Sequence, residues 1–139
     1  MAMYRKTRLR AWAAAALAGG TLAAGCVVAA VGAGAGGGVY FTERGAESVV
    51  PASVDRAAAA AQHAFADLKI RETRSETQHT DNGGEKREID GDAVDRDVSV
   101  TITSQEKTTR VHVVAKKSTV TWDKDFARTI LDKIVAYSR

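Results

Sequence analysis

Between Arg10 and Glu43 the chain carries no charged side chain, and this uncharged segment limits what the N-terminal third can become. A basic stretch precedes it, since four of the 20 Lys and Arg residues lie within the first ten positions. The apolar run from Ala11 to Gly25 is fifteen residues long, which is shorter than the roughly 20 that a membrane-spanning helix needs. A basic start followed by such a run is typical of an export signal peptide. We therefore predict a signal peptide over residues 1–25.

A single cysteine follows this segment directly. Cys26 is the only Cys in the chain, so an internal disulfide is excluded. The sequence Leu22-Ala23-Ala24-Gly25-Cys26 resembles a lipobox, the motif at which bacteria link diacylglycerol to a cysteine and cleave the chain before it. Ala23 stands where that motif usually has leucine. The resemblance implies cleavage between Gly25 and Cys26, and lipidation of Cys26 with acyl chains such as palmitate.

Two other interpretations of the N-terminal segment remain open. A helix running through Cys26 over the whole uncharged stretch is long enough to span a bilayer as a single-pass anchor. Its glycines disfavour it, because each costs about 0.5–1 kcal/mol relative to alanine in a helix. An ordinary secreted protein, cut near Ala24, would leave the thiol free. We favour the lipid anchor because the thiol ends an apolar run of signal-peptide length.

Residues 27–40 read VVAAVGAGAGGGVY, which is apolar and rich in glycine. Such composition is typical of a flexible tether, so residues 26–42 are predicted to be the lipidated cysteine and a glycine-rich neck. The spacings Gly32/Gly36 and Gly34/Gly38 leave open a small-xxx-small packing face within the membrane. Val27 follows the cysteine where Asp tends to retain lipoproteins in the inner membrane. Its presence predicts the outer membrane, with the domain facing the periplasm.

Residues 43–139 have the composition of a globular domain, and their first half predicts a strand, a helix and a hairpin. The strand over 47–50 stops at Pro51, and Ser53 caps a helix over 54–67 with an alanine-rich apolar stripe. A polar strand over 69–78 then turns at Asp81-Asn82-Gly83-Gly84, where Asn-Gly accepts positive φ at both central positions. The returning strand over 85–89 is predicted to end in a second turn at Asp90-Gly91-Asp92.

The second half of the domain predicts two strands and a helix. Apolar and polar residues alternate over 98–103 and 110–116, which predicts antiparallel neighbours with one apolar face. Thr121 is then predicted to cap a helix whose apolar stripe is Trp122, Phe126, Ile130, Ile134 and Tyr137. The expected fold is α+β: an antiparallel four- to five-stranded sheet with two helices on one face, in the order β-α-β-β-β-β-α. The opposite face is expected to be polar and wet.

The succession of lipobox, glycine-rich neck and domain resembles the small proteobacterial lipoproteins that form a family of unknown function. Two helical segments of the domain carry this resemblance, together with its paired strands rich in Thr and Val. Val50-Pro51-Ala52-Ser53-Val54-Asp55-Arg56 opens the first helix, and Ala127-Arg128-Thr129-Ile130-Leu131-Asp132-Lys133-Ile134 lies in the last. The resemblance implies an envelope lipoprotein and no particular activity.

Four carboxylates within eight residues could suggest calcium, namely Asp90, Asp92, Asp95 and Asp97. They lack EF-hand spacing, because no Gly follows Val94 and no Glu stands at the twelfth position. We expect no metal site and no cofactor there.

The three histidines, His63, His79 and His112, are predicted on a helix, a loop and the outer face of a strand. None has a second His or a Cys at metal-ligand spacing. The chain also lacks Gly-x-Ser-x-Gly, a phosphate loop and His-Glu-x-x-His. A Ser-His-Asp triad assembled from distant segments stays possible. We expect that the chain is not an enzyme.

All 17 acidic residues follow Cys26, so the domain is close to neutral and gives no case for nucleic-acid binding. Trp122 is expected in the core; if exposed, it could touch lipid headgroups or a protein partner. The predicted function is a structural or protein-interaction module held to the membrane by lipid on Cys26, with an envelope protein as possible partner. The alternative of another class is a domain that binds a small molecule or lipid between its helices and its sheet.

Overall fold

Seven strands and two helices make up residues 38–139, the part of the chain that the computed structural model describes. The strands are β1 (Tyr40–Phe41), β2 (Gly45–Val50), β3 (Arg71–His79), β4 (Glu85–Ala93), β5 (Arg96–Gln105), β6 (Thr108–Ser118) and β7 (Thr121–Trp122), and the helices are α1 (Val54–Asp67) and α2 (Lys124–Tyr137). The strands form one sheet in the order β1-β2-β6-β5-β4-β3, with β7 paired to β6. Every pairing is antiparallel.

Both helices cover the same face of the sheet. Along β5, Val98, Val100 and Ile102 point into the core, and the residues between them reach solvent. β6 repeats the alternation with Val111, Val113 and Ala115, and β5 and β6 are neighbours as predicted. The predicted α+β class is confirmed, with five long strands and two additional strands of two residues each.

Helix α1 begins and ends through local hydrogen bonds. The Ser53 hydroxyl accepts from the backbone N–H of Arg56 at 3.3 Å, which confirms the predicted cap. At the other end Lys69 adopts φ 55°, and the N–H of Ile70 donates to the carbonyl of Phe65 at 2.8 Å. This is the Schellman pattern, and it turns the chain directly into β3.

The turn predicted at Asp90-Gly91-Asp92 is wrong, because these residues lie inside β4. A Cβ at Gly91 would lie 2.7 Å from Phe65 Cε2 and 2.8 Å from Ile70 Cγ2. Gly91 therefore marks the place where α1 and the start of β3 press onto the sheet, a recognised use of glycine in a strand. The chain reverses after Ala93, at residues 94–95.

The hairpin between β3 and β4 has a different turn from the predicted one. Among the described non-glycine residues only Lys69 and Glu106 have positive φ, so Asn82 does not. Gly83 alone in this turn is left-handed, at φ 75°. The backbone N–H of Thr80 donates to the carbonyl of Gly84, and the carbonyl of Thr80 accepts from the N–H of Gly83, both at 2.9 Å. The connection is a three-residue loop with a left-handed glycine, the next most common hairpin after the two-residue type.

Helix α2 begins later than predicted. Thr121 and Trp122 form β7, with Trp122 opposite Lys116 of β6. The cap is Asp123, whose side chain accepts from the N–H of Phe126 at 2.9 Å. The β-branched run before it favours extended backbone, and Asp is as good a cap as Thr. Thr121 as cap and Trp122 on the helical core stripe are therefore both wrong.

Replacing Asp123 by alanine is expected to lower the free energy of unfolding by about 1–2 kcal/mol at neutral pH. The N–H of Phe126 donates to the Asp123 carboxylate, and the Arg96 guanidinium lies 2.7 Å from it. Both contacts lower the pKa of Asp123 from its ordinary 3.8, although burial opposes them. A carboxyl whose pKa is lowered on folding stabilises the fold above its unfolded pKa and loses this effect as the pH falls through the folded value. The difference between wild type and Asp123→Ala should therefore shrink below about pH 4.

Urea unfolding at pH 7 and pH 3 measures this difference. Asp123→Asn keeps a capping side chain but loses the charge, so its free energy of unfolding should lie between those of the wild type and Asp123→Ala. Thr121→Ala is the matched control and should change little. A Thr121→Ala chain less stable than Asp123→Ala would show that the cap has been misplaced.

The sheet begins inside the predicted neck, because β1 pairs with β2 before the expected boundary at residue 43. The predicted signal peptide, its cleavage between Gly25 and Cys26, the lipidation of Cys26 and most of the neck lie outside the described residues. Within residues 38–139, neither helix has the length and apolarity needed to cross a bilayer.

Candidate functional site

The face of the sheet opposite the helices is not covered by them and can meet a partner. Its rows follow from the strand register: Glu47, His112, Thr101 and Glu88 stand side by side across four strands. The next rows toward β7 are Val114, Ser99 and Asp90, then Lys116, Asp97 and Asp92. As predicted, this face is mostly polar.

Trp122 lies at a corner of this open face and is half-buried. It stands opposite Lys116 on β6, whose side chain points away from the helices. The cationic ends of Arg44 and Lys116 each lie 5.5 Å from the centre of a Trp122 ring. Cation–π attraction of this kind contributes about 0.5–1 kcal/mol at exposed sites. The indole is therefore held by two cations, and we name this group the Trp122 corner.

Carboxylates adjoin the Trp122 corner. A cavity of about 240 Å³ there is lined by Asp90, Asp92, Asp97, Ser99 and Trp122, among others. Asp92 and Asp97 are direct cross-strand partners, a placement in which like charges repel. Two cations offset this repulsion: Arg71 lies 3.0 Å from Asp92, and Lys116 stands opposite Asp97.

The structure thus brings together three of the four carboxylates singled out in the sequence. Asp95 is separate, because it lies in the β4–β5 turn and pairs with Arg96 at 2.7 Å. Within residues 38–139, no group of three or more His, Cys, Asp or Glu residues has an arrangement that could hold a metal ion. Each of the three carboxylates on the open face has a basic residue as a cross-strand neighbour: Arg74 for Asp90, Arg71 for Asp92 and Lys116 for Asp97.

His112 lies on the open face beside the β1–β2 turn. Its Nε2 is 3.2 Å from the hydroxyl of Thr42, which accepts from the N–H of Gly45 at 3.0 Å. Burial lowers the pKa of His112, and the Glu47 carboxylate partly opposes this, so the ring is neutral at pH 7. No other described residue hydrogen-bonds the ring, so the acid that orients the base in a Ser-His-Asp triad has no counterpart among them. The pair fastens the turn to the sheet.

The other two histidines lie apart from His112. His63 is on the exposed side of α1, as predicted, with its ring 5.7 Å from that of Tyr137. His79 ends β3 and is exposed. Near His63, Asp67 accepts from Tyr137 and from Lys133, and both contacts lower the pKa of Asp67. This group joins the ends of the two helices and has a structural role.

The chain matches a protein family. A family model described as "Protein of unknown function (DUF3568)" matches residues 9–136. The chain belongs to this family. The DUF3568 match begins in the basic N-terminal stretch and ends in α2, so it covers Cys26 and the Trp122 corner alike. No curated protein and no solved structure matches the chain.

What the Trp122 corner offers chemically is a surface for contact with a partner. It combines an aromatic ring, two cations and nearby carboxylates on a solvent-exposed sheet, and Trp and Arg are the residues most enriched at the centres of protein interfaces. The sequence identified Trp122 but not its partners Arg44 and Lys116. Alternation along β6 places Lys116 on the open face, whereas the position of Trp122 beside it follows from the β6–β7 pairing, which the sequence alone did not show.

Proposed function

We propose that the chain is a bacterial envelope lipoprotein, anchored by lipid on Cys26, whose domain is a structural or protein-interaction module. One observation carries the proposal: the DUF3568 match joins the apolar segment, the cysteine and the domain in a single unit. In the sequence, the cysteine directly follows an apolar run of signal-peptide length. Two or three acyl chains on one residue suffice for stable anchoring, since each buried CH₂ contributes about 0.8 kcal/mol.

The open face of the sheet supports the second half of the proposal. It is free of the helices, carries both signs of charge and has the Trp122 corner at one edge. A partner in the envelope would meet this face, and Val27 after the cysteine favours the outer membrane and a periplasmic domain. Cross-linking from the open face in the native envelope would identify that partner.

A small molecule held between helices and sheet is less well supported. Ala57, Ala61 and Ala64 of α1 are fully buried, and Phe65 fills the space above Gly91. The alanines that suggested room for a ligand instead bring the helix close to its neighbours. Among residues 38–139, two cavities lie on the open face, and a third, beside the β5–β6 turn, is bordered by Val54 and Asp55 at the start of α1.

The intact mass of the membrane-extracted chain tests the anchor. We expect the wild type to lack residues 1–25 and to carry added diacylglycerol and acyl mass, because the thioether forms on the Cys26 thiol. Cys26→Ala removes the thiol, so its mass should contain no lipid. A wild-type mass equal to the full 14.7 kDa chain without lipid would defeat the proposal. If that chain also stays in the membrane after alkaline washing, the single-pass alternative holds.

A further inference from the structure

The sheet ends in two strands of very different length. On one side it ends in β1, which has two residues, and on the other in β3, which has nine. All nine residues of β3 are exposed, so neither of the two described helices covers this edge. A long exposed edge strand presents unpaired N–H and C=O groups to any strand that can align with it. The edge at β3 is therefore a place where the sheet can be extended.

Features that normally block an edge strand are confined to the first residues of β3. The strand contains no Lys and no Pro, and its bulge lies between Glu72 and Arg74. A hydrogen bond of 3.1 Å from Gln62 of α1 also ends at Glu72. Beyond the bulge, the pairing with β4 continues to His79 without a register shift. The charges there cancel, because Arg74 lies 2.5 Å from Glu76, so this part of the strand would not repel an incoming strand.

The hairpin hydrogen bonds determine which backbone groups of β3 face the open edge. The N–H of Thr80 donates to the carbonyl of Gly84 at 2.9 Å, so these two residues form a hydrogen-bonded pair of the β3–β4 ladder. Hydrogen-bonded and non-hydrogen-bonded pairs alternate in an antiparallel ladder. Counting back from Thr80, the residues whose N–H and C=O groups point away from β4 are therefore His79, Thr77 and Ser75.

These three residues are complementary to a second copy of themselves. When two β3 strands run antiparallel about a two-fold axis at Thr77, each Thr77 faces the other, and each Ser75 faces the His79 of the second copy. The three pairs would add about six backbone hydrogen bonds. Between them, Glu76 faces Gln78, whose amide can donate to the carboxylate. Thr–Thr pairs and hydrogen-bonded polar pairs stabilise neighbouring strands.

Other registers of the same pairing are less favourable. Only shifts of two residues keep the free backbone groups of the two strands opposite one another. An axis at Glu76 would place two carboxylates directly opposite, which is destabilising. An axis at Ser75 would bring the bulge into the pairing, and an axis at Gln78 or His79 would leave fewer residues paired. Backbone hydrogen bonds and side-chain charges therefore favour the same register, centred on Thr77.

We infer that two copies of this chain associate edge to edge through β3, antiparallel about Thr77, and form one continuous sheet. The inference goes beyond the proposed function and does not depend on the lipid anchor. Paired residues of neighbouring strands point to the same face, so both helix layers lie on one side and the two open faces join. The chains enter this sheet at diagonally opposite corners, because β1 is the outer edge of each copy. With lipid on each Cys26, the sheet is expected to lie along the membrane.

Disulfide trapping of the full chain in detergent tests the register. The two Thr77 Cα atoms would lie about 5.5 Å apart across the axis, which is within the range of a disulfide. We expect Thr77→Cys to give a disulfide-linked dimer on mild oxidation. Ser75→Cys should stay monomeric, because its two copies would lie about 14 Å apart along the strands. Both positions are exposed, and the unsubstituted chain reports any disulfide through Cys26. Faster trapping of Ser75→Cys than of Thr77→Cys, or no trapping of Thr77→Cys, would overturn the inferred register.

Charges at position 77 test whether this edge holds the two copies together. Thr77→Lys and Thr77→Glu each place like charges across the axis, so each should raise the dissociation constant of the dimer by about tenfold or more. An equimolar mixture of the two variants should associate again, because opposite charges then face each other. Val120→Lys is the matched control, since it adds the same charge at an exposed turn on the far side of β6 from β3, and it should leave the dissociation constant unchanged.

Sedimentation equilibrium of the full chain in detergent measures association, and circular dichroism shows whether each variant is folded. Recovery of the dimer in the mixture supports the inference, because variants that had merely misfolded would not be restored by mixing. A folded wild type that stays monomeric refutes it. Folded Thr77→Lys and Thr77→Glu chains that associate as well as the wild type also refute it, since the contact between copies would then lie elsewhere.

Discussion

Replacing Gly45 by alanine is expected to lower the free energy of unfolding by about 3 kcal/mol and the melting temperature by on the order of 15 °C. A Cβ at Gly45 would lie 2.0 Å from the carbonyl oxygen of Val113 and 3.1 Å from Cα of Val114. These are backbone atoms of β6, so no side-chain rotation can relieve the contact. The added methyl group would separate β2 from β6, the strand pair on which α2 also packs.

Gly84→Ala is the matched control for Gly45→Ala. Its Cβ would meet the hydroxyl oxygens of Thr80 at 2.7 Å and Ser104 at 3.3 Å. The Thr80 hydroxyl can rotate away, and the Ser104 hydroxyl, which accepts from the N–H of Glu85 at 2.9 Å, has to shift by only a few tenths of an ångström. We expect a cost of about 1 kcal/mol or less. Thermal unfolding followed by circular dichroism measures both chains. Equal melting temperatures for the two variants would mean that β2 does not approach β6 as closely as the structure places it.

The parts of the fold that follow local rules could be predicted from the sequence. Ser53 before a periodic stripe located α1 to the residue, and alternation around Val100 and Val113 located β5 and β6 with the correct face inward. In these segments propensity, capping and hydrophobic period agree with the tertiary packing.

The errors arose where tertiary contacts decide the backbone. Asp-Gly-Asp has the composition of a turn, but Gly91 lies in a strand because Phe65 and Ile70 occupy the space of a side chain. Trp122 fits the helical stripe of α2 by spacing alone, yet pairing with Lys116 keeps it extended. Short strands such as β1 and β7 have too few residues to show any period.

The candidate site was predictable only in pieces. Asp90, Asp92 and Asp97 were singled out as neighbours in sequence, and the register then placed them on one face and moved Asp95 away. Arg44 and Trp122 are far apart in the chain, and only the pairing of β2 and β7 with β6 brings them together. Contacts between distant strands depend on a register that the sequence of one strand does not contain.

Together with Gly45→Ala, Phe65→Ala is expected to be among the most destabilising changes, with a loss of about 3–5 kcal/mol in the free energy of unfolding. The ring is 2% exposed and belongs to the continuous core of the domain. It also fills the space that Gly91 leaves open, with Cε2 at 2.7 Å from where a Cβ would stand. Removing the ring therefore opens a cavity between α1 and β4 near the end of that strand, where Gly91 has no side chain that could fill it. Urea unfolding gives the change.

Energetic coupling between positions 65 and 91 would distinguish direct packing of the Phe65 ring on Gly91 from ordinary core packing. Gly91→Ala alone should cost about 1–3 kcal/mol through overpacking, and it should cost less in a Phe65→Leu background, because the contact with Cε2 is gone. The relief is partial, since Ile70 Cγ2 at 2.8 Å and the Arg71 carbonyl at 3.0 Å remain. Positions in direct contact show such non-additivity, whereas independent positions add within about 0.5 kcal/mol. Strict additivity of Gly91→Ala and Phe65→Leu would show that the ring does not rest on the glycine. The close approach of α1 would then no longer explain why the Asp-Gly-Asp segment is a strand.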